Sequence, residues 1–171
     1  MNKLRPALFC LLLATIPLQT LAISEIKREA PNCTLNTLGA AEQITIQQWQ
    51  GKVIYVDFWA SWCPPCVKSF PFLNNLYQHF SDEGLQVLGV NLDEKLSDAE
   101  DFLAKFPTHF DIVIDPDQEC AQLFDVQAMP SSFLVDRNGM IRYVHKGFRS
   151  GDVEKLRAQI QKLLKEEAAN S

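Results

Sequence analysis

The 171-residue chain has only three histidines, at positions 79, 109 and 145, and none repeats a metal-ligand spacing. That scarcity argues against a histidine-built zinc or copper centre. Basic residues are also in deficit, with 16 Lys and Arg against 21 Asp and Glu and a formal net charge of −5. A nucleic-acid partner would need a basic face, so that class is disfavoured. Five cysteines are too few for a disulfide-dense scaffold. No internal repeat and no low-complexity linker interrupts the chain. No lone cysteine stands in a threonine-containing pattern of the peroxidase kind. What remains is 47% apolar and 22% charged, the composition of a globular protein with one substantial core.

The N-terminus reads as a targeting segment. Lys3 and Arg5 give a short positive region, and residues 6–22 follow without a charge, rich in Leu and Ala. Thr20-Leu21-Ala22 places small residues where a signal peptidase reads them, so 1–22 is expected to be a secretory signal peptide. An uncleaved inner-membrane anchor is the alternative. The apolar run is short of the roughly 20 residues of a comfortable span, and Pro17 and Gln19 weaken it. Cys10 follows the bulky Phe9, which argues against a lipoprotein site. Export places the remaining cysteines, Cys33, Cys63, Cys66 and Cys120, in an oxidising compartment. Removal of the signal takes the net charge from −5 to −7.

Residues 23–30 are polar and read as a flexible lead-in, with one domain expected over 31–167. Residues 33–35 and 44–46 suggest two short strands joined near Gly39, an N-terminal β-hairpin extension. A helical turn over 47–50 follows. Val53–Trp59 is nearly all apolar, as a strand buried on both faces should be. A helix is expected over 63–81, where Phe70, Leu73, Leu76, Tyr77 and Phe80 form one stripe and Pro71 should bend it. A second buried strand covers 85–92, and a helix covers 97–106 with Ser97 as N-cap. A short strand at 112–114 and a helix at 117–124 come next. Residues 132–135 and Met140–Lys146 read as a hairpin turned by Asp136-Arg137-Asn138-Gly139. A last helix is expected over 151–167. Alternating strands and helices followed by a hairpin predict an α/β three-layer sandwich with a mixed central sheet.

Trp62-Cys63-Pro64-Pro65-Cys66 directly follows the first buried strand and opens the long helix. Two intervening residues hold the sulfurs close enough to alternate between dithiol and disulfide. Cys63, at the helix N-terminus, is placed to have its thiolate stabilised by the unpaired amides there. Cys66, one turn in, should be more buried. The expected roles follow: Cys63 attacks a substrate disulfide and Cys66 resolves the mixed disulfide. Half a zinc site, or a non-enzymatic copper-binding module using both cysteines and a histidine, is the competing reading.

Val56-Asp57-Phe58-Trp59-Ala60-Ser61-Trp62-Cys63-Pro64-Pro65-Cys66 resembles the active site of the thioredoxin superfamily. Further similarity is to the TlpA/ResA-like thiol–disulfide oxidoreductases of the bacterial cell envelope. It rests on Ala30-Pro31, Gly51-Lys52, Val90-Asn91-Leu92-Asp93 and Phe133-Leu134-Val135-Asp136-Arg137-Asn138-Gly139, and covers residues 30–165. The resemblance implies a thioredoxin fold and a periplasmic enzyme that reduces disulfides of exported proteins. It also implies no organic cofactor, a membrane electron donor that re-reduces the Cys63–Cys66 pair, and action as a monomer.

The resemblance implies roles for further residues. Met129-Pro130 would carry a cis bond beside the redox pair, and Trp62, Met129 and Pro130 would form the substrate-peptide contact. Asp57 would lie beneath Cys66 as a general base. Read from the strand alone, Asp57 is either a buried carboxyl that must be protonated or paired, or a solvated edge residue. Ser69 stands where some envelope reductases carry a glutamate, which puts a role in cytochrome c maturation in doubt. Cys33 and Cys120 fall where relatives usually have apolar residues. They are a candidate structural disulfide closing a loop of roughly 90 residues, worth about 4 kcal/mol, or two small buried hydrophobes.

Overall fold

The computed structural model describes residues 26–39 and 42–166. The expected signal segment lies outside the described residues. Among the described residues, eight strands form one sheet: β1 (Arg28–Glu29), β2 (Leu35–Thr37), β3 (Gln43–Ile44), β4 (Val53–Trp59), β5 (Leu85–Asn91), β6 (Asp111–Ile114), β7 (Ser131–Val135) and β8 (Met140–Lys146). Their order across the sheet is β1-β8-β7-β4-β5-β6-β2-β3. The β4, β5 and β6 strands run parallel, and every other neighbouring pair is antiparallel. Among the described residues, four α-helices complete the fold: α1 (Pro64–Phe80), α2 (Leu96–Lys105), α3 (Glu119–Leu123) and α4 (Val153–Lys165).

Every residue of β4 is buried, and its side chains alternate between two cores. Val53, Tyr55 and Trp59 face one core with Phe70, Leu73 and Leu76 of α1, Phe102 of α2 and Ile160 of α4. Ile54, Val56 and Phe58 face the other, with Ile46, Phe124 and Phe133. Helices on both faces of a mixed sheet make the three-layer sandwich that the element order predicts. Trp59 sits against Phe70 and Phe102, with ring centroids 4.9 and 4.8 Å away, which ties α1 and α2 to the end of the strand.

The structure differs from the sequence reading at the edges. Part of the expected lead-in is ordered as β1, because Arg28 and Glu29 pair with Ile141 and Met140 on the open edge of β8, and Ala30 is buried. The N-terminal hairpin is shifted: β2 begins at Leu35, and Ile46 opens a 3-10 turn over Ile46–Trp49 instead of ending a strand. Helix α2 starts at Leu96 with Lys95 at the N-cap, since the Asp98 N–H already bonds the Lys95 carbonyl at 3.1 Å. Helix α3 is shorter than the pattern suggests because Gln118 takes a left-handed conformation (φ 56°). The Asp115 carboxylate then accepts the Cys120 and Ala121 amides at 3.3 and 2.8 Å. Helix α1 runs past Pro71 to Phe80. Among the described residues, no helix is long and apolar enough to cross a membrane.

Candidate active site

The chain leaves β4 at Trp59 and reaches Cys63 at the N-cap of α1 within four residues. Asp93, just past the end of the neighbouring β5, holds this loop. It accepts the Ser61 amide at 2.9 Å and the Ser61 hydroxyl at 2.9 Å. Asn91 in turn donates to Asp93 at 2.7 Å and accepts the Asp93 amide at 3.1 Å. Asp93 is 5% exposed, so the clamp works away from bulk water, where its hydrogen bonds are stronger. Sequence reasoning missed this role. The available signal was a carboxylate directly after a buried strand, two residues from an amide.

Cys63 and Cys66 are joined by a disulfide, with Cα atoms 5.3 Å apart. The Cys66 amide donates to the Cys63 sulfur at 3.3 Å. Pro64 and Pro65 fill the first two helical positions and carry no amide hydrogen. The helix N-terminus therefore offers Cys63 one amide donor where three positions would otherwise supply them. Cys66 is fully buried and Cys63 is 3% exposed. Ser69 is also buried, and its hydroxyl turns back to donate to the Cys66 carbonyl at 3.0 Å.

Beside Cys63 lies a groove of about 430 Å³. Trp62, Pro64 and Pro65 form one wall, Ala121 and Gln122 of α3 form another, and the loop before β7 closes the end with Met129. Among the described residues, none of the side chains lining it is charged. Trp62 stands 67% exposed at its rim. The Met129-Pro130 bond is cis, and Pro130 is buried. Thus Trp62, Cys63 and Met129 meet at one groove.

Asp57 lies inside the sheet, 1% exposed, on the same face of β4 as Tyr55 and Trp59. That face carries the core to which Cys66 belongs. Ser132, its cross-strand partner on β7, donates to Asp57 Oδ1 at 2.6 Å. Among the described residues, Oδ2 has no hydrogen-bond partner. Burial pushes the Asp57 carboxyl up to about 7, against a smaller opposing effect of the Ser132 hydrogen bond. The Tyr55 phenol is driven well above its ordinary range, first by burial and then by the Asp57 charge.

Cys33 and Cys120 sit in the core on the other side of the sheet, bonded, with Cα atoms 5.4 Å apart at a sequence separation of 87. This bridge ties the segment before β2 to α3, the helix that also gives Ala121 and Gln122 to the groove. Among the described residues, no three His, Cys, Asp or Glu side chains form a group able to hold a metal ion.

The family described as Redoxin matches residues 26–160. The chain belongs to that family. The thiol-disulfide oxidoreductase ResA of Bacillus subtilis (strain 168) is 32% identical over 119 residues, which cover 70% of this chain and 66% of that protein. The ResA of Bacillus thuringiensis subsp. konkukian is 30% identical over 141 residues, covering 82% of this chain and 78% of its own length. Among solved structures, a candidate thiol:disulfide interchange protein DsbE from Chlorobium tepidum superposes with a TM-score of 0.78 at 40% identity. That match covers 84% of this chain and 99% of the other. The family member described here is thus a TlpA/ResA-like thiol–disulfide oxidoreductase with a thioredoxin fold.

Proposed function

We propose that the chain is a periplasmic reductant of disulfides in exported proteins, with Cys63 as the attacking and Cys66 as the resolving thiol. The observation that carries the reading is the placement of the pair. Cys63 opens α1 beside an uncharged groove, and Cys66 lies fully buried behind it. The Cys63 thiolate attacks one sulfur of a substrate disulfide and expels the other as a thiolate. Cys66 then gives up its proton, with Asp57 as the base, and attacks Cys63. The substrate sulfur leaves reduced, and two electrons have passed from the enzyme pair to the substrate.

The groove fits an extended, uncharged segment around the substrate cysteine, with Trp62, Met129 and Pro130 as contacts. In this reading residues 1–22 direct export, 31–167 form the enzyme, and a membrane dithiol donor returns the pair to the reduced state. The Cys33–Cys120 bridge is structural. Trapping the cellular redox state of Cys63 and Cys66 by rapid alkylation tests the direction of electron flow. A mostly reduced pair is expected, and a mostly oxidised pair would make the protein an oxidant instead.

A further inference from the structure

We infer that Ser132 is a positioning residue for the resolving step, acting through Asp57 to hold one carboxylate oxygen free for the Cys66 proton. The inference rests on the reading of Asp57 as the base for Cys66. Ser132 stands directly opposite Asp57 in the β4–β7 register, and both side chains are buried. A serine hydroxyl has one hydrogen to give, and here it goes to Asp57 Oδ1 at 2.6 Å. That bond fixes the rotation of the carboxyl group and leaves Oδ2 unpartnered. An unsatisfied carboxylate oxygen in a core is costly unless it has a function or a transient partner. A proton arriving from Cys66 is such a partner.

The step balances without any further reactant. The Cys66 S–H bond breaks and its proton goes to Asp57 Oδ2. The electron pair of the Cys66 thiolate forms the bond to the Cys63 sulfur. The bond from Cys63 to the substrate sulfur breaks, and its electron pair leaves with that sulfur as a thiolate. The Ser132 hydrogen bond favours the charged carboxylate, which is the form that can accept the proton, and opposes the larger effect of burial. Ser132 is also the second residue after cis-Pro130, so one short segment carries both the loop beside the groove and the hydroxyl that sets the base.

Ionisable groups on this side of the sheet include Tyr55 on the same strand, whose phenol feels the charges of Asp57 and Asp152, Cys66 of α1 in the same core, and His145 opposite Ser132 on β8. His145 Nε2 approaches Asp152 Oδ2 to 3.2 Å, but not in hydrogen-bond geometry. Tyr55 stays protonated across the working range, since burial drives it upward. A His145→Asn variant separates any contribution of that imidazole to a pH profile.

The test is a single-turnover reaction of the reduced protein with the aromatic disulfide 5,5′-dithiobis(2-nitrobenzoate). The second equivalent of 2-nitro-5-thiobenzoate is released when Cys66 resolves the mixed disulfide on Cys63. Ser132→Ala is expected to move the acid limb of that release up by about one pH unit and to slow it about tenfold below the limb. Ser132→Thr, which keeps a hydroxyl, should overlie the parent profile. Adding Ser132→Ala to Asp57→Asn should change the rate less than about twofold, since the hydroxyl acts through the carboxylate. A Ser132→Ala profile that coincides with the parent would overturn the inference while leaving Asp57 as the base. An Asp57→Asn profile that coincides with the parent would overturn the base assignment itself. A slowing that Asp57→Asn does not suppress would make Ser132 a purely structural residue.

Discussion

Replacing Asp57 with asparagine is expected to stabilise the oxidised protein in alkaline solution and to leave it nearly unchanged in acid. The folded-state value of this carboxyl is raised from its ordinary 3.8 to about 7 because the group is buried. A raised acid favours folding while protonated in both states. Its contribution is full below the unfolded value and is lost as pH rises through the folded one. Asparagine cannot ionise, so it escapes that loss. The gap between the two values predicts a relative gain for Asp57→Asn of near zero at about pH 3, ~2 kcal/mol at about pH 5, and a plateau of ~4 kcal/mol above about pH 8. The amide places a new group where Oδ2 was unpartnered, which adds a constant offset that does not depend on pH. The readout is therefore the slope. Urea unfolding at several pH values measures it, with the Cys63–Cys66 pair kept oxidised so that no thiol titrates nearby. A difference between the two proteins that stays flat from acid to alkali would refute the burial argument, and Asp57 would then be a solvated, ordinary carboxylate.

Three further outcomes can be checked directly. Cys63→Ser should abolish attack on a disulfide substrate, whereas Cys66→Ser should accumulate a mixed disulfide through Cys63; faster alkylation of Cys66 than of Cys63 at neutral pH would reverse the roles. The single amide donor to Cys63 sets this pair apart from a strong oxidant, so its reduction potential is expected at roughly −180 to −270 mV, and a value near about −120 mV in a glutathione titration would contradict that. Replacing both Cys33 and Cys120 with alanine reopens a loop closed over 87 positions and should cost ~4–5 kcal/mol of unfolding free energy; a loss under about 1 kcal/mol would mean the bridge does not constrain the unfolded chain.

The redox pair and the order of the layers were legible in the sequence because each rests on short-range regularities. Two residues between Cys63 and Cys66, at the junction of an all-apolar run and a helical stripe, determine by themselves that two sulfurs meet at a helix N-terminus. The apolar run of β4 and the alternation of elements around it likewise determine a covered parallel core, because burial on both faces leaves few other arrangements. The edges were not legible. Whether 28–29 joins the sheet depends on an unpaired edge of β8 that lies more than a hundred residues away. The finer parts of the site were decided by tertiary structure alone. Ser132 reaches Asp57 across 75 positions only because β7 lies beside β4 in one particular register, and a slip of one residue would turn the hydroxyl to the other face. Asp93 clamps Ser61 across 32 positions because β5 ends beside β4. Cys33 and Cys120 come within 5.4 Å because the segment before β2 and the start of α3 share one face of the sheet. Local spacing sets chemistry that lies within one helical turn, whereas contacts between distant segments depend on strand order and register, which only the packing of the whole chain selects.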